Sequence, residues 1–228
     1  MSEELYTYSS PEMKAKIESF YPQITDRRRE LLWKVASNRT RHFCMVLEDL
    51  FDPHNISAVI RTAEVFGLED VHIIEEVNPY HVNKSILKGS IKWMNVYLYK
   101  KRMECMQHLR EKGYRIAVAS TNTDNSVLDL DLSKPMAFYL GSEFHGNHPD
   151  TLAAADCEFK LPQYGITESM NVSVAGGVLM CYLDHFMQKK GRTAYALSPR
   201  ERDELLLEWL ERHVSGDAAK SPIVHIGG

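Results

Sequence analysis

The chain has 228 residues, 44% hydrophobic and 25% charged, with a formal net charge of −4 at pH 7. That size and balance suit one globular domain with terminal extensions and exclude collagenous, disordered and membrane-spanning classes. Cys44, Cys105, Cys157 and Cys181 form no CxxC pair and the histidines show no zinc spacing, so reduced thiols and no metal are expected; with no signal-peptide pattern at Met1–Glu4, so is a cytoplasmic location.

Residues 1–42 read as a basic helical N-terminal arm, in which Arg27, Arg28, Arg29, Lys34, Arg39 and Arg41 face Glu30 alone between residues 27 and 42. Residues 43–190 alternate short strands with helices. Phe43–Glu48, Val71–Ile74, Val96–Tyr99, Arg115–Ala119, Met136–Leu140 and Cys157–Leu161 are the expected strands. Being apolar on both faces and separated by helical pattern, they predict a largely parallel α/β sheet with flanking helices. After the first strand, Ile56, Val59, Ile60, Ala63 and Phe66 recur at helical spacing until Gly67 ends the helix.

From Val77 to Met103 stand Lys84, Lys88, Lys92, Lys100, Lys101 and Arg102 with no acid, interleaved with Tyr80, Trp93, Tyr97 and Tyr99. Cations that hold phosphates beside aromatics that stack on unpaired bases suit an RNA surface, though a solvated helix face with edge-strand aromatics has the same composition. Residues 191–214 form a C-terminal helical extension. Ser198-Pro199-Arg200-Glu201 reads as a capping box with proline at the first helical position, followed by Leu205, Leu206, Trp209 and Leu210. Residues 215–228 are small and polar and are expected to fray.

Three segments carry the chemistry: Asn55-Ile56-Ser57-Ala58-Val59-Ile60-Arg61, Leu140-Gly141-Ser142-Glu143-Phe144-His145-Gly146, and the run from Leu161 through Gly165, Ser169, Met170 and Asn171 to Gly177. The last leads from a strand through a polar loop into a small-residue helix for which Ser169 is the expected N-cap. Its Ser173, Ala175, Gly176 and Gly177 would admit another backbone closely, within the chain or across a subunit interface. GxGxxG and the Walker loop are both absent, which weighs against an ordinary dinucleotide fold.

In this order and spacing the segments resemble the SpoU (TrmH) family of SPOUT RNA methyltransferases over roughly residues 28–210. Gly89–Trp93 and Asp131–Pro135 are similar to the branch that methylates the ribose 2′-hydroxyl of guanosine 18 in the tRNA D-loop. The resemblance implies a C-terminal trefoil knot, S-adenosylmethionine as methyl donor, tRNA as substrate and a homodimer. Position by position, it implies that Arg61, Asn55, Glu143, Ser169 and Asn171 form the catalytic set. Gly141, Glu143, Gly146, Leu161, Gly165, Ser169, Met170 and Asn171 would surround the donor, and Arg28, Arg39 and Lys92 would contact tRNA. Phe144-His145 stands where small residues are common, though bulky pairs also occur.

A guanidinium is hardly ever deprotonated in a protein, so Arg61 is expected to hold phosphate and stabilise alkoxide charge rather than act as base. The proton acceptor stays open, with His145 one candidate. Asn55 lies about 240° from Arg61 on an ideal helix, so the two share a site only if Asn55 stands at the helix mouth, outside the first full turn. Glu143 is expected to orient neighbouring Asn and Arg side chains. Other readings are a ribosomal-RNA 2′-O-methyltransferase, a non-catalytic RNA-binding protein on the same fold, and an α/β enzyme using a nicotinamide or nucleotide cofactor.

Overall fold

The computed structural model describes residues 6–78, 91–216 and 222–226. Seven strands form one sheet: β1 (Phe43–Glu48), β2 (Asp70–Ile74), β3 (Asn95–Tyr99), β4 (Arg115–Ala119), β5 (Met136–Leu140), β6 (Cys157–Phe159) and β7 (Ile223–Ile226). Their order is β6-β4-β5-β1-β2-β3-β7, and every pair is parallel. The central β1, β2 and β5 are buried along their whole length, which accounts for their uninterrupted apolar runs.

Among the described residues seven α-helices accompany the sheet: α1 (Pro11–Glu18), α2 (Asp26–Ala36), α3 (Pro53–Val65), α4 (Arg102–Glu111), α5 (Pro149–Ala153), α6 (Val172–Lys190) and α7 (Pro199–Ser215). One sheet face packs against α3 and α6, burying Val59, Ile60, Leu179 and Leu183 with Met45 and Phe138. On the other face Cys105, Met106 and Leu109 of α4 meet Cys44, Val46 and Tyr139. A third cluster joins both terminal extensions, with Ile17 of α1 and Leu32 and Trp33 of α2 packed on Leu205, Leu206 and Trp209 of α7. The Ser198 capping box forms as expected: the Ser198 hydroxyl accepts from Glu201 N–H at 3.3 Å, and Glu201 accepts from Ser198 N–H at 3.0 Å.

One expectation needs correction here. The chain beyond residue 215 does not simply fray, because Ile223–Ile226 extends the sheet beside β3, with Val96 N–H donating to Pro222 O at 2.9 Å. The open edge of β3 offers a row of unpaired amides and carbonyls that a short β-branched stretch can satisfy. One residue of the small-residue run of α6 is used within the chain: a Cβ on Gly176 would stand 3.3 Å from Leu140 Cδ1 and 3.4 Å from Val59 Cγ2. Gly176 thus sets the close approach of α6 to α3 and the sheet.

Candidate active site

Loops at the carboxyl ends of β4, β5 and β6 and the first turn of α6 enclose a cleft of about 610 Å³. Open parallel sheets leave their ligand crevices at this end, where the connecting loops diverge. The floor is apolar, from Leu140, Phe159, Leu161 and Val172, and the rim is polar. All eight residues assigned to the donor from the sequence line it: Gly141, Glu143, Gly146, Leu161, Gly165, Ser169, Met170 and Asn171. The β4 loop adds Ser120, Thr121 and Asn122. Sequence reasoning missed these, since a short polar loop carries no motif; only the position of β4 beside β5 brings it to the cleft.

The β5 loop is shaped by its glycines. Ser142 and Gly146 exchange backbone hydrogen bonds of 3.0 and 2.9 Å, closing a tight loop with Glu143, Phe144 and His145 at its tip. Gly146 adopts φ +67°, and a Cβ on Gly141 would collide with the Gly146 carbonyl and the Asn147 amide nitrogen. Glycine is therefore required at 141 by close backbone approach and favoured at 146 by its left-handed backbone.

From that tip Glu143 reaches across to the start of α3. Its carboxylate accepts from Phe51 N–H at 2.9 Å, Asp52 N–H at 3.3 Å and the Asn55 side-chain amide at 2.8 Å. Partial burial pushes the carboxyl upward, but these bonds, with one from its own backbone amide, outweigh burial and hold it below the usual carboxylate range. An ionised carboxylate can only accept, so Asn55 must turn its NH₂ toward Glu143 and its carbonyl oxygen away. That oxygen accepts from Asn171 Nδ2 at 3.1 Å. Asn171 is left with Oδ1 facing the N-terminus of α6, where it accepts from Ser173 N–H at 2.9 Å, Val174 N–H at 3.3 Å and the Ser173 hydroxyl at 2.6 Å. A single negative charge thus orients two amides in series.

This geometry corrects the expected cap. Helix α6 begins at Val172 with Asn171 as N-cap, while Ser169 is exposed in the preceding loop at the cleft. Asn171 is bound to Asn55 as well as to the helix start, and the helix begins where that amide can serve both. Nor does Asn55 stand outside the first turn of α3: Asp52 is the N-cap, so Asn55 is the third helical residue and is buried. Arg61 consequently lies on another face of the helix, exposed, and its side chain makes no hydrogen bond or ion pair among the described residues. The chain brings Asn55, Glu143, Ser169 and Asn171 to one place and leaves Arg61 outside it.

The proposed RNA contacts divide. Arg28 is half-buried on α2, and Lys92 is exposed with Nζ 4.7 Å from the Trp93 ring centre. Burial and then the charges of Arg28 and Lys92 lower the pKa of His213 on α7, which places these three groups near one another. Arg39 is different and cannot touch RNA. It is fully buried, donating to Leu68 O at 2.9 Å, Trp93 O at 3.1 Å and Glu64 Oε1 at 3.0 Å, with Glu69 at 3.6 Å and the Trp209 ring 5.2 Å away.

The second basic segment divides as well: Lys92, Lys100 and Lys101 are exposed, whereas Trp93, Tyr97, Tyr99 and Arg102 turn inward. Arg102 is buried against Glu76 at 2.9 Å and Glu48 at 3.5 Å, Tyr99 is fully buried, and Tyr97 stacks on His72. Lys84, Lys88, Tyr80 and Gly89-Ser90 lie outside the described residues. Among the described residues no helix is long and apolar enough to cross a membrane.

Comparison with known proteins agrees with this architecture. The family model described as SpoU rRNA Methylase family matches residues 42–181, the span from β1 into α6. A Borreliella burgdorferi protein named tRNA (guanosine(18)-2'-O)-methyltransferase is 36% identical over 192 residues, 84% of this chain and 88% of its own. The A. aeolicus TrmH/SpoU tRNA modifying enzyme superposes with a TM-score of 0.74 at 24% identity, covering 83% of this chain and 98% of that one. The Streptomyces viridochromogenes SpoU methyltransferase AviRb, solved in complex with the cofactor AdoMet, superposes at 0.59 with 19% identity over 67% of this chain and 60% of its own. With the family model covering more than half its length and a relative this similar, the chain belongs to the SpoU methylase family.

Proposed function

We propose that the protein transfers a methyl group from S-adenosylmethionine to a ribose 2′-hydroxyl of tRNA, at guanosine 18 of the D-loop, acting as a homodimer in the cytoplasm. The observation that carries this reading is the cleft whose lining coincides with the family's donor-binding positions and whose mouth is braced by Glu143, Asn55 and Asn171. The Borreliella relative's name supplies the substrate. The β5 and β6 loops, with α6, are the segments the family's trefoil knot would involve.

The residues present fit the donor. Its size class matches the cleft, the apolar floor suits a purine, and Asn147 Oδ1 is buried beside the cleft without a hydrogen-bond partner. Leu161, Met170 and the Gly141–Gly146 loop would hold it, and when bound it supplies an electrophilic methyl group on a sulfonium. The chain's own contribution is positioning and charge. Glu143, anionic through its hydrogen bonds, locks Asn55 and Asn171 and so sets the start of α6 against the cleft. Arg61, exposed on α3, would meet substrate phosphate and developing alkoxide charge at the subunit interface, which the exposed Val65, Val174 and Val178 would join. Arg28 and Lys92 would contact tRNA, with His213 beside them; Arg39 would not.

The test combines binding with product mapping. S-adenosylmethionine at one hundred times its dissociation constant should stabilise the fold by about 2.7 kcal/mol, a rise in Tm of roughly 5–10 °C for a chain of this size. Arg61→Ala should fold and bind donor yet lose methyl transfer to a tRNA transcript, while Arg61→Lys keeps a little activity because a cation remains. Stabilisation by NAD and by neither methionine cofactor would overturn the reading, as would a fully active Arg61→Ala.

A further inference from the structure

Of the eight phenylalanines in the chain only Phe51 and Phe144 are exposed, at 66% and 73%, and they touch each other. Their ring centres are 5.7 Å apart at an interplanar angle of 76°. Phe51 ends the β1 loop, and Phe144 stands at the tip of the tight β5 loop. Glu143 clamps the two loops together through the amides of Phe51 and Asp52, so the rings ride on the same braced frame as Asn55 and Asn171. Neither ring enters one of the apolar cores.

We propose that Phe51 and Phe144 form a stacking platform for the base of the nucleotide whose ribose is methylated. The inference rests on the activity proposed above. A loop nucleotide that turns its ribose hydroxyl into the cleft brings its base to the mouth, and a base splayed from its neighbours' stack needs another surface. An edge-to-face pair offers one: one ring's edge covers one face of the other, leaving flat aromatic surface free, and stacking on it tolerates any base. The platform is continuous with the cleft, since Gly141, Glu143, His145 and Gly146 of the same loop line it. Two rings are too small a patch to hold two copies of the chain together, whereas one base matches them in size and shape.

The experiment uses a tRNA transcript and its counterpart with an abasic residue, 2′-hydroxyl retained, at the methylated position. Phe144→Ala should lower kcat/KM on the intact RNA about 5- to 150-fold, the loss of one base–aromatic stack, and change the rate on the abasic RNA little. Phe51→Ala should follow the same pattern, and Phe144→Trp should restore the intact-RNA rate. Donor affinity by calorimetry and the dimer by light scattering should match wild type. Equal losses on both RNAs would overturn the platform, since a misplaced Glu143 would harm both alike. So would an unaffected Phe144→Ala, or a loss that accompanies dissociation of the dimer, which would give the rings to a second copy. Wild-type protein that methylates no tRNA ribose would instead remove the underlying activity, and the platform with it.

Discussion

Replacing Arg39 by alanine separates a surface role from a structural one. The guanidinium makes hydrogen bonds to Leu68 O (2.9 Å), Trp93 O (3.1 Å) and Glu64 Oε1 (3.0 Å), and it lies 3.6 Å from Glu69, whose two carboxyl oxygens have no hydrogen-bond partner. Burial pushes the Glu69 carboxyl up to about 8, even against the pull of Arg39. Removing the guanidinium leaves two buried carbonyls and Glu64 without their donor, and with about 1–3 kcal/mol for each buried group left unsatisfied the loss is about 3–5 kcal/mol. Domains are typically stable by only about 5–15 kcal/mol, so this is a large fraction of the total. At roughly 2–4 °C per kcal/mol for a chain of this length, Tm should fall by about 6–20 °C. Urea denaturation should show a lower midpoint with unchanged slope. Arg39→Lys keeps a charge but loses the planar fork and should fall between the two. Any variant protein that remains folded at low temperature should bind tRNA with the wild-type salt dependence, because no phosphate contact has been removed. Wild-type stability together with weakened, less salt-sensitive tRNA binding would refute the reasoning.

Three other outcomes follow from the geometry. Asn171→Ala should cost about 0.5–2 kcal/mol in urea denaturation by uncapping α6, whereas Ser169→Ala, which removes no cap, should leave stability within about 0.5 kcal/mol of wild type. Glu143 has its pKa lowered in the folded state, so its stabilisation is present above the unfolded carboxylate value and is lost as pH falls through the folded one. A Glu143→Gln variant should therefore be less stable than wild type at pH 7, and the difference should shrink only on the acid side, below about pH 4.5; a gap that closes between pH 6 and 8 would count against the assignment. Truncation after Gly216 should lower Tm and promote self-association at moderate protein concentration by opening the edge of β3, measured by thermal melts and light scattering; an unchanged Tm would show that β7 adds nothing.

Much of the scaffold was legible in the sequence because it is written in short-range pattern. Strand β1 is six consecutive residues that are all buried, and β4 and β5 coincide with their apolar runs, since a strand covered on both faces needs no information from further along the chain. The start of α7 was equally plain, as Ser198, Pro199 and Glu201 satisfy the helix terminus among themselves. Eight residues lining the cleft could be named because the second and third motifs supply them, whereas Ser120, Thr121 and Asn122 of the β4 loop belong to no motif. What the tertiary structure alone decided is everything that depends on a distant partner. Arg39 looks like one more member of a basic run until Leu68, Trp93 and Trp209 close around it. Ser169 is as good a cap as Asn171 in isolation, and Asn55, 116 residues away, selects between them by claiming the Asn171 amide. The polar-looking tail becomes β7 only because β3 presents an edge to it. Periodicity and caps are settled within a few residues, but the burial of a charge and the choice between two competent caps depend on which groups the fold brings within 3 Å, and no local pattern encodes that.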